Sequence, residues 1–198
     1  MTNTRRGPWA ISDHKLIYEN PWMTVRYHDV IHNSGHAHEY TTIAFKNRAT
    51  GIVPLFENGE TVLVGQHRFP LDRYSWEIPE GGCPPQEEPH EAALRELREE
   101  TGLTASNYKE ILQLDLSNSI TNERAWCYVS WGLNQGEAMP EETEDIALKK
   151  IQFSDALEMV EAGEMTDAIS VASLLRISYL ARNEQLPEPW MNARFRGK

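Results

Sequence analysis

The 198-residue chain is 40% hydrophobic and 25% charged, which is the composition of a globular protein with one sizeable core. Its formal net charge of −11 argues against nucleic acid or an anionic membrane as a partner, because neither attracts a negative protein. No apolar run approaches the roughly 18 residues that span a bilayer, and residues 1–9 contain no apolar signal segment. Cys83 and Cys127 have no metal-ligand spacing, so we expect a cytoplasmic protein without disulfides.

The N-terminal part is predicted to form a small antiparallel β unit, residues 9–47, after a disordered segment, residues 1–8. β-Rich runs alternate here with turn residues, of which Asn20-Pro21 is one pair. A second turn carries His32, His36 and His38. Because no carboxylate or cysteine lies at a useful spacing, we interpret these histidines as the polar rim of a hairpin and not as a zinc site.

A hairpin is predicted next in the chain. Residues 51–56 and 61–68 are compact apolar runs, and Asn58-Gly59 between them is a strong signal for a two-stranded turn. A further strand follows, in which Trp76 and Ile78 alternate with polar residues as in a half-buried strand.

Residues 81–103 form the most informative stretch, and they predict a helix with defined ends. Pro89 suits the first helical turn, where a missing N–H costs nothing, and Gly102 suits the left-handed position just past the last turn. Between these two residues, an apolar stripe is predicted to face the core. It consists of Ala93, Leu94 and Leu97.

The opposite face of this helix is acidic. Glu96, Glu99 and Glu100 are spaced by three and four residues, so their side chains share one side of the helix and repel one another. Gathered hard oxygen ligands are what Mg²⁺ or Mn²⁺ requires. The residue types alone leave open whether this face is a metal site or a solvated charge run.

The C-terminal half predicts strands at residues 111–116 and 125–131, joined by a polar loop, and a third strand at residues 146–153. Two helices follow, at residues 155–162 and 167–183, with Ser154 and Thr166 as their N-caps. The predicted fold is α/β (α+β): a mixed β-sheet with helices on both faces, that is, an α/β/α sandwich over residues 48–184. Residues 185–198 form a basic tail.

The spacing of the acidic stretch resembles the Nudix box of the Nudix hydrolase superfamily. The matching pattern is Gly81-x5-Glu87-x7-Arg95-Glu96-Leu97-x-Glu99-Glu100-x-Gly102-Leu103. The resemblance implies a Nudix-type sandwich that binds Mg²⁺, with Mn²⁺ as an alternative, and hydrolyses a nucleoside diphosphate linked to another group. It also implies that Glu96 and Glu100 are the main metal ligands, with Glu99 sharing a metal or its catalytic water. By the same resemblance, the main-chain carbonyl of Glu80 would be a further ligand, and Gly81 would let the backbone come that close.

The resemblance also assigns roles outside the metal ligands. Glu87 and Arg95 would form a structural pair that fixes the loop to the helix. A loop at the place of Glu142 and Glu144 carries a catalytic base and, two residues later, another metal ligand in ADP-ribose pyrophosphatases. Glu123 is the rival for either role, and a solvated acidic loop is the alternative reading of this run.

Further features are similar to the branch that hydrolyses ADP-ribose and other nucleoside diphosphate sugars. They are Gln66-His67-Arg68, Trp76–Gly82, Ser117-x5-Glu123 and residues 163–168. In this branch Arg68 would contact phosphate or the terminal sugar, Trp22 would stack on the base, and Trp76 would border the substrate. A salt bridge in a strand and a core aromatic residue are the alternatives for Arg68 and Trp22.

The same branch implies a homodimer, with N-terminal strands exchanged between two subunits. Asn118 departs from the pattern, because ADP-ribose specialists usually carry a proline there, so a broader hydrolase of nucleoside diphosphate sugars stays open. The competing readings are a hydrolase of nucleoside triphosphates or dinucleoside polyphosphates, and a non-catalytic Nudix domain that senses a ligand. The first 45 residues argue against the former, and the complete set of carboxylates in residues 81–103 argues against the latter.

Overall fold

A computed structural model of the chain describes residues 4–138 and 145–186. Within them, the chain divides into two compact units. The first contains the residues up to Arg48 together with Asp115–Arg124, and the second contains Ala49–Leu114 and the residues from Ala125 onward. No helix in the described part of the chain is long and apolar enough to cross a membrane.

The first unit is built on a four-stranded antiparallel sheet in the order β1-β2-β3-β4. Its strands are β1 (Thr4–Arg6), β2 (Trp9–Glu19), β3 (Met23–His32) and β4 (Ala37–Phe45). The predicted N-terminal antiparallel β unit is thus confirmed. The expected disorder of residues 1–8 is wrong for β1, because Gly7, at φ 57°, reverses the chain so that Arg6 pairs with Trp9.

A loop, residues 115–124, belongs to the same unit and is bound to the edge of β4. The Ile43 N–H donates to the Ile120 carbonyl at 2.9 Å. The side-chain amide of Asn122 pairs with both backbone groups of Phe45: its Oδ1 accepts from the N–H at 2.7 Å and its Nδ2 donates to the carbonyl at 3.3 Å. These bonds satisfy backbone groups of β4 that an edge strand would otherwise leave exposed.

The second unit contains two sheets. The first has the order β8-β5-β10-β9, and the second has the order β11-β6-β7. The strands of the first are β5 (Arg48–Pro54), β8 (Glu80–Cys83), β9 (Leu103–Asp115) and β10 (Arg124–Gln135). Those of the second are β6 (Glu60–Arg68), β7 (Arg73–Glu77) and β11 (Ala147–Gln152), and a short 3₁₀ turn, Phe69–Leu71, joins β6 to β7. Because β5 and β10 run parallel, the first sheet is not purely antiparallel.

The predicted hairpin between β5 and β6 is wrong, although its turn exists. Gly59 adopts φ 88°, and the Phe56 N–H donates to the Glu60 carbonyl at 3.0 Å, so the chain reverses where the sequence indicates. The two strands then enter different sheets. Ile52 of β5 lies opposite Tyr128 of β10, and β6 pairs with β7 and β11. A turn signal fixes a local reversal, but remote strands decide the pairing.

The second unit also contains the three helices α1 (Pro89–Thr101), α2 (Phe153–Glu161) and α3 (Ala168–Arg182). Both predicted ends of α1 are confirmed, and Gly102 closes the helix at φ 72° by donating to the Arg98 carbonyl at 2.9 Å. The predicted caps of the other helices are wrong. Gln152 precedes α2, which begins at the fully buried Phe153, and Asp167 caps α3 by accepting from the Ser170 N–H at 2.8 Å.

Successive residues of β5 face opposite helical layers. Thr50 Oγ1 donates to the Pro89 carbonyl at the start of α1, at 3.1 Å, and Ile52 belongs to the core cluster that contains Ala93 and Leu97 of α1. Gly51, between them, faces α3: a Cβ at Gly51 would lie 2.7 Å from Cγ2 of Ile169. The predicted α/β/α sandwich is therefore confirmed, with α1 on one side of β5 and α3 on the other.

Candidate active site

Arg95 ties α1 to the loop that precedes it. Its Nε and Nη2 donate to the two carboxylate oxygens of Glu87, both at 3.0 Å, and Nη2 also donates to the Gly82 carbonyl at 2.9 Å. This two-point contact is the strong geometry for a guanidinium and a carboxylate. It has the arrangement expected for a pair that fixes the loop to the helix.

The same guanidinium also relieves repulsion on the acidic face. Its Nη1 donates to Glu96 Oε1 at 2.8 Å and to Glu99 Oε2 at 2.9 Å. The hydrogen bonds with Glu87, and then those with Glu99 and Glu96, raise the pKa of Arg95 above its ordinary value, against the opposing effect of burial. Arg95 therefore stays charged and offsets the like charges that spacing alone would leave unbalanced.

Gly81 lies directly against the carboxylate of Glu96. A Cβ at Gly81 would be 2.3 Å from both Cδ and Oε1 of Glu96, closer than van der Waals contact permits. The glycine is needed here for close approach, because only a residue without a side chain leaves room for this carboxylate.

Glu100 joins the same loop through the backbone. It is 3% exposed, and its Oε2 accepts from the Glu80 N–H at 3.1 Å. Together with the contact between Gly81 and Glu96, this bond places two carboxylates of α1 against the start of β8. The sequence placed Glu96 and Glu100 on one face of the helix, and the structure brings both to the Glu80-Gly81 backbone.

A buried acidic group lies beside this point and was not expected from the sequence. The Glu80 carboxylate is buried, and burial, followed by the nearby charges of Asp167 and Glu77, raises its pKa well above the ordinary value. Arg68 acts in the opposite direction, with its Nη2 at 3.7 Å from Glu80 Oε1. Sequence reasoning assigned only the main-chain carbonyl of Glu80 and did not include Glu77 or Asp167. Two signals in the sequence could have indicated this acidic group: a charged residue within a strand, Glu77, and another at the start of a helix, Asp167.

The donors at this point suit a hard divalent cation by their chemistry. They are carboxylate oxygens from α1 and from the residues before it, and the buried Oε2 of Glu80 has no hydrogen-bond partner among the described residues. In residues 4–138 and 145–186, however, there is no group of three His, Cys, Asp or Glu side chains arranged so that it could hold a metal ion. Arg95 contacts Glu96 and Glu99, and Glu100 accepts a backbone N–H, so the carboxylates are positioned but engaged with protein donors.

Arg68 and Trp76, the expected substrate contacts of the second unit, are both held by protein neighbours. Arg68 donates through Nε to both oxygens of Glu77, at 3.1 and 3.0 Å, and Nη2 adds a third contact, while about a third of its side chain stays exposed. The ring of Trp76 packs on Gly65, and Lys149 Nζ lies 4.2 Å from its centroid. The strand salt bridge that is the alternative reading for Arg68 is therefore present.

Other expected site residues lie in the first unit or outside the described residues. Trp22 is 66% exposed in the turn between β2 and β3, so it is not a core aromatic residue. Burial raises the pKa of Glu123, which lies at the end of the 115–124 loop. Glu142 and Glu144 fall between residues 138 and 145, outside the part of the chain that the structure describes.

Replacing Arg95 with Lys should lower the free energy of unfolding by about 2 kcal/mol, because an ammonium group cannot reproduce the two-point contact with Glu87. Urea denaturation followed by circular dichroism measures this change. Arg98→Lys is the matched control, because Arg98 is exposed on the same helix and makes no side-chain hydrogen bond with a described residue. Equal changes in the two variants would show that Arg95 does not stabilise the loop.

Comparison with known proteins gives the same family. The NUDIX domain model matches residues 45–169. The chain is 32% identical over 145 residues to an ADP-ribose pyrophosphatase of Mycobacterium tuberculosis, covering 71% of this chain and 70% of that protein. It is 34% identical over 140 residues to an ADP-ribose pyrophosphatase of Bacillus subtilis, covering 70% and 74%. A solved structure described as an ADP compounds hydrolase superposes with a TM-score of 0.79 at 20% identity, covering 89% of this chain and 96% of that one.

The α/β/α sandwich of this chain is therefore the fold of this solved structure. The chain belongs to the Nudix hydrolase family and is a Nudix pyrophosphohydrolase related to ADP-ribose pyrophosphatases. Nudix hydrolases generally use divalent metal ions.

Proposed function

We propose that this enzyme hydrolyses the pyrophosphate bond of ADP-ribose or a related nucleoside diphosphate sugar, giving a nucleoside monophosphate and a sugar phosphate. The observation that carries the proposal is the contact of Glu96 with Gly81, beside the Glu80 N–H that binds Glu100. Two carboxylates converge there on one point of the backbone. The two relatives named as ADP-ribose pyrophosphatases support this choice of substrate.

In this proposal the ligands of a Mg²⁺ ion, or of Mn²⁺ in its place, come mainly from α1. Glu96 and Glu100 are the principal ligands, Glu99 shares a metal or its water, and the Glu80 main-chain carbonyl and Glu144 complete the set. The cation, when bound, supplies charge neutralisation for the pyrophosphate and lowers the pKa of bound water. Glu87, Arg95, Gly81 and Gly102 are structural, since their contacts hold the loop and close the helix.

The substrate contacts proposed for the chain are Arg68, Trp22 and Trp76. Arg68 combines an anchored Nε with a partly exposed side chain, which suits a contact to a phosphate oxygen or to the terminal sugar. Trp22 presents an exposed aromatic face of the kind on which a nucleotide base stacks. The packing of Trp76 against Gly65 gives it a fixed position in the same hairpin as Arg68.

We propose Glu142 as the general base, with Glu123 and Glu99 as the alternatives. Glu142→Gln should therefore reduce kcat about a hundredfold or more, because a positioned base contributes about 10² to 10⁴ in rate. Glu123→Gln is the matched comparison and should reduce kcat less. A larger loss in Glu123→Gln, measured as initial rates of ADP-ribose hydrolysis, would transfer the role to Glu123, whose pKa is raised above its ordinary value by burial.

A substrate panel tests the proposed function directly. Purified protein with Mg²⁺ should release AMP from ADP-ribose, or the monophosphate from another nucleoside diphosphate sugar such as GDP-mannose. Nucleoside triphosphates and dinucleoside polyphosphates belong in the same panel, because they are the substrates of the competing reading. Faster turnover of these than of every nucleoside diphosphate sugar would overturn the proposal, as would no release of AMP from ADP-ribose and no GMP from GDP-mannose.

We further propose that the enzyme is a cytoplasmic homodimer joined through its N-terminal unit. Adjacent apolar side chains of β2 support this, because Leu16, Ile17 and Tyr18 are 48%, 54% and 52% exposed in the single chain. Light scattering of the purified protein measures the mass directly. A monomer at micromolar concentration would contradict the proposal.

A further inference from the structure

The last turn of α1 carries two of the proposed metal-binding residues, Glu99 and Glu100, and the helix ends at Thr101. The last four carbonyl groups of a helix have no partner within it, so this end is the part that frays most easily. The unpaired carbonyls also give this end a partial negative charge, which repels nearby carboxylates. A helix that keeps two carboxylates fixed in its last turn therefore needs contacts that hold this turn in place.

Local contacts close this end of α1 in part. The Gly102 N–H donates to the Arg98 carbonyl at 2.9 Å. Thr101 Oγ1 donates to the Leu97 carbonyl and accepts from the Leu103 N–H at 3.1 Å. All of these partners are neighbours in the chain, and none of these bonds reaches the carbonyls of Thr101 and Gly102.

Gln135, the last residue of β10, supplies a remote contact to the same turn. Its Nε2 donates to the Thr101 carbonyl at 3.1 Å and to the Gly136 carbonyl at 2.9 Å. Because both partners are carbonyl oxygens, only the NH₂ group of the amide, which has two hydrogens, can satisfy them. The Gly136 N–H donates to the Gly102 carbonyl at 2.8 Å. The end of β10 thus binds both carbonyls that the local contacts do not reach.

The segment that follows β10 also packs closely on Gly102. A Cβ at Gly102 would lie 2.6 Å from the Gly136 carbonyl oxygen, 2.8 Å from the Ala138 nitrogen and 2.9 Å from Gln135 Nε2. Gly102 is therefore needed for the close approach of residues 135–138 as well as for its left-handed φ of 72°. Packing and hydrogen bonds together fix the C-terminal end of α1 to the end of β10.

We propose that Gln135 is a positioning residue that holds the last turn of α1, so that Glu99 and Glu100 stay at the metal site. Gln135 acts through the Thr101 carbonyl and not through either carboxylate. Its amide hydrogens also offset the partial negative charge at this helix end. The assignment rests on the proposed function, because that function identifies the metal ligands. Gly136 contributes only backbone groups, which any residue type retains.

Isothermal titration calorimetry of the full chain with Mn²⁺, in the absence of substrate, tests the proposal. Gln135→Met keeps most of the side-chain volume but removes both donors, so it should weaken Mn²⁺ binding about fivefold, the loss expected for one hydrogen bond of ordinary strength. Gln135→Ala removes the same donors and should have the same effect. Because Gln135 is exposed, we expect both variants to fold.

Asn134→Ala is the matched control. Asn134 is exposed one residue earlier on β10, and its side chain forms no hydrogen bond with a described residue. Successive side chains of a strand point to opposite faces, so Asn134 does not share the direction of Gln135. Its substitution should leave the affinity for Mn²⁺ unchanged.

Hydrogen exchange measured by NMR on the metal-free protein gives a readout that is independent of activity. The amides of Gly102 and Gly136 should exchange faster in Gln135→Met than in Asn134→Ala, because the end of the helix is no longer tied to β10. The Ala92 amide, which donates to the Glu88 carbonyl at the other end of α1, should keep its protection. Faster exchange at both ends would show a general loss of structure and overturn the proposal.

Steady-state kinetics separate metal positioning from substrate binding. In Gln135→Met the Mg²⁺ concentration that gives half-maximal rate should rise about fivefold, while KM for ADP-ribose at saturating Mg²⁺ stays unchanged. A rise in KM without a change in the Mg²⁺ requirement would overturn the proposal.

The positioning role and the proposed substrate fail separately. If Gln135→Met and Gln135→Ala bind Mn²⁺ as tightly as Asn134→Ala while the unaltered enzyme hydrolyses ADP-ribose, Gln135 is not a positioning residue and the proposed function stands. If both variants lose affinity for Mn²⁺ but the unaltered protein hydrolyses no nucleoside diphosphate sugar, the role of Gln135 is supported and the substrate is wrong. Absence of Mn²⁺ binding by the unaltered protein would overturn both.

Discussion

Glu100→Gln should lower kcat for ADP-ribose about a thousandfold, which corresponds to a loss of about 4 kcal/mol of transition-state stabilisation. Gln has the same shape as Glu, and its carbonyl oxygen still accepts the hydrogen bond that the Glu80 N–H now gives to Glu100. The loop therefore stays attached to α1 while the negative charge on the proposed metal ligand is removed. Initial rates with saturating Mg²⁺, together with a thermal melt, measure the two effects separately.

Glu91→Gln is the matched control for this experiment. Glu91 is exposed in the first turn of the same helix and has no assigned role, so the activity of Glu91→Gln should equal that of the unaltered enzyme. If Glu100→Gln kept activity within tenfold of that control while remaining folded, Glu100 would not be a metal ligand. A melting temperature that fell sharply would instead show that Glu100 is needed for the fold.

Gly81→Ala is the second change with a large expected effect, about a hundredfold loss of activity, because a misplacement of about 1 Å in a catalytic group costs that much. The added methyl group would lie 2.3 Å from the Glu96 carboxylate, so that carboxylate must move. Gly81 is not among the glycines with positive φ, so backbone strain does not explain a loss. The Mg²⁺ concentration that gives half-maximal rate should also rise.

A double variant tests whether the effect of Gly81→Ala acts through Glu96. Glu96→Asp shortens the side chain by one methylene group and moves the carboxylate away from the added methyl. If the two groups clash, the double variant should be little worse than Glu96→Asp alone, and the two changes should be non-additive. Independent, additive losses would show that Gly81 acts by another route. Gly136→Ala is the matched glycine control, because among the described residues the added Cβ would meet only the Gly102 carbonyl, at 3.2 Å.

The sequence predicts α1 well because its signals are local. Pro89 and Gly102 act on the backbone within one turn, and both ends of the helix lie where they indicate. The pairing of β5 and β6 fails for the opposite reason. The turn at Gly59 is encoded locally, but β5 pairs with β10, 76 residues further along the chain (Ile52 with Tyr128). β6 pairs with β7 and with β11, and the β11 partners lie 82 to 92 residues further along the chain (Gly65 with Ala147, Glu60 with Gln152).

The start of α2 shows how tertiary contacts override a cap signal. Ser154 is a good N-cap by residue type, yet α2 begins one residue earlier, at Phe153. Phe153 is fully buried, and its N–H donates to the Gly59 carbonyl at 2.9 Å. Packing of this aromatic ring fixes where the helix starts, and no local pattern in the sequence encodes that contact.

The candidate site likewise contains one part that the sequence predicts and one part that it does not. The spacing of three and four residues correctly placed Glu96, Glu99 and Glu100 on one face of α1, because this prediction depends on a single helix. The group formed by Arg68, Glu77, Glu80 and Asp167 was not predicted as a unit, since its members come from β6, β7, β8 and the start of α3. Only the fold brings those four residues together.

The hydrogen bonds of Arg95 have a consequence for the order of folding and metal binding. Neighbouring carboxylates on one face of a helix repel one another, and in small zinc domains folding waits for the metal. Here the chain carries its own counterion: a single guanidinium binds Glu87, Glu96 and Glu99 at the same time. We therefore expect the loop before α1 to be ordered in the metal-free chain, so that folding does not wait for the proposed metal ion.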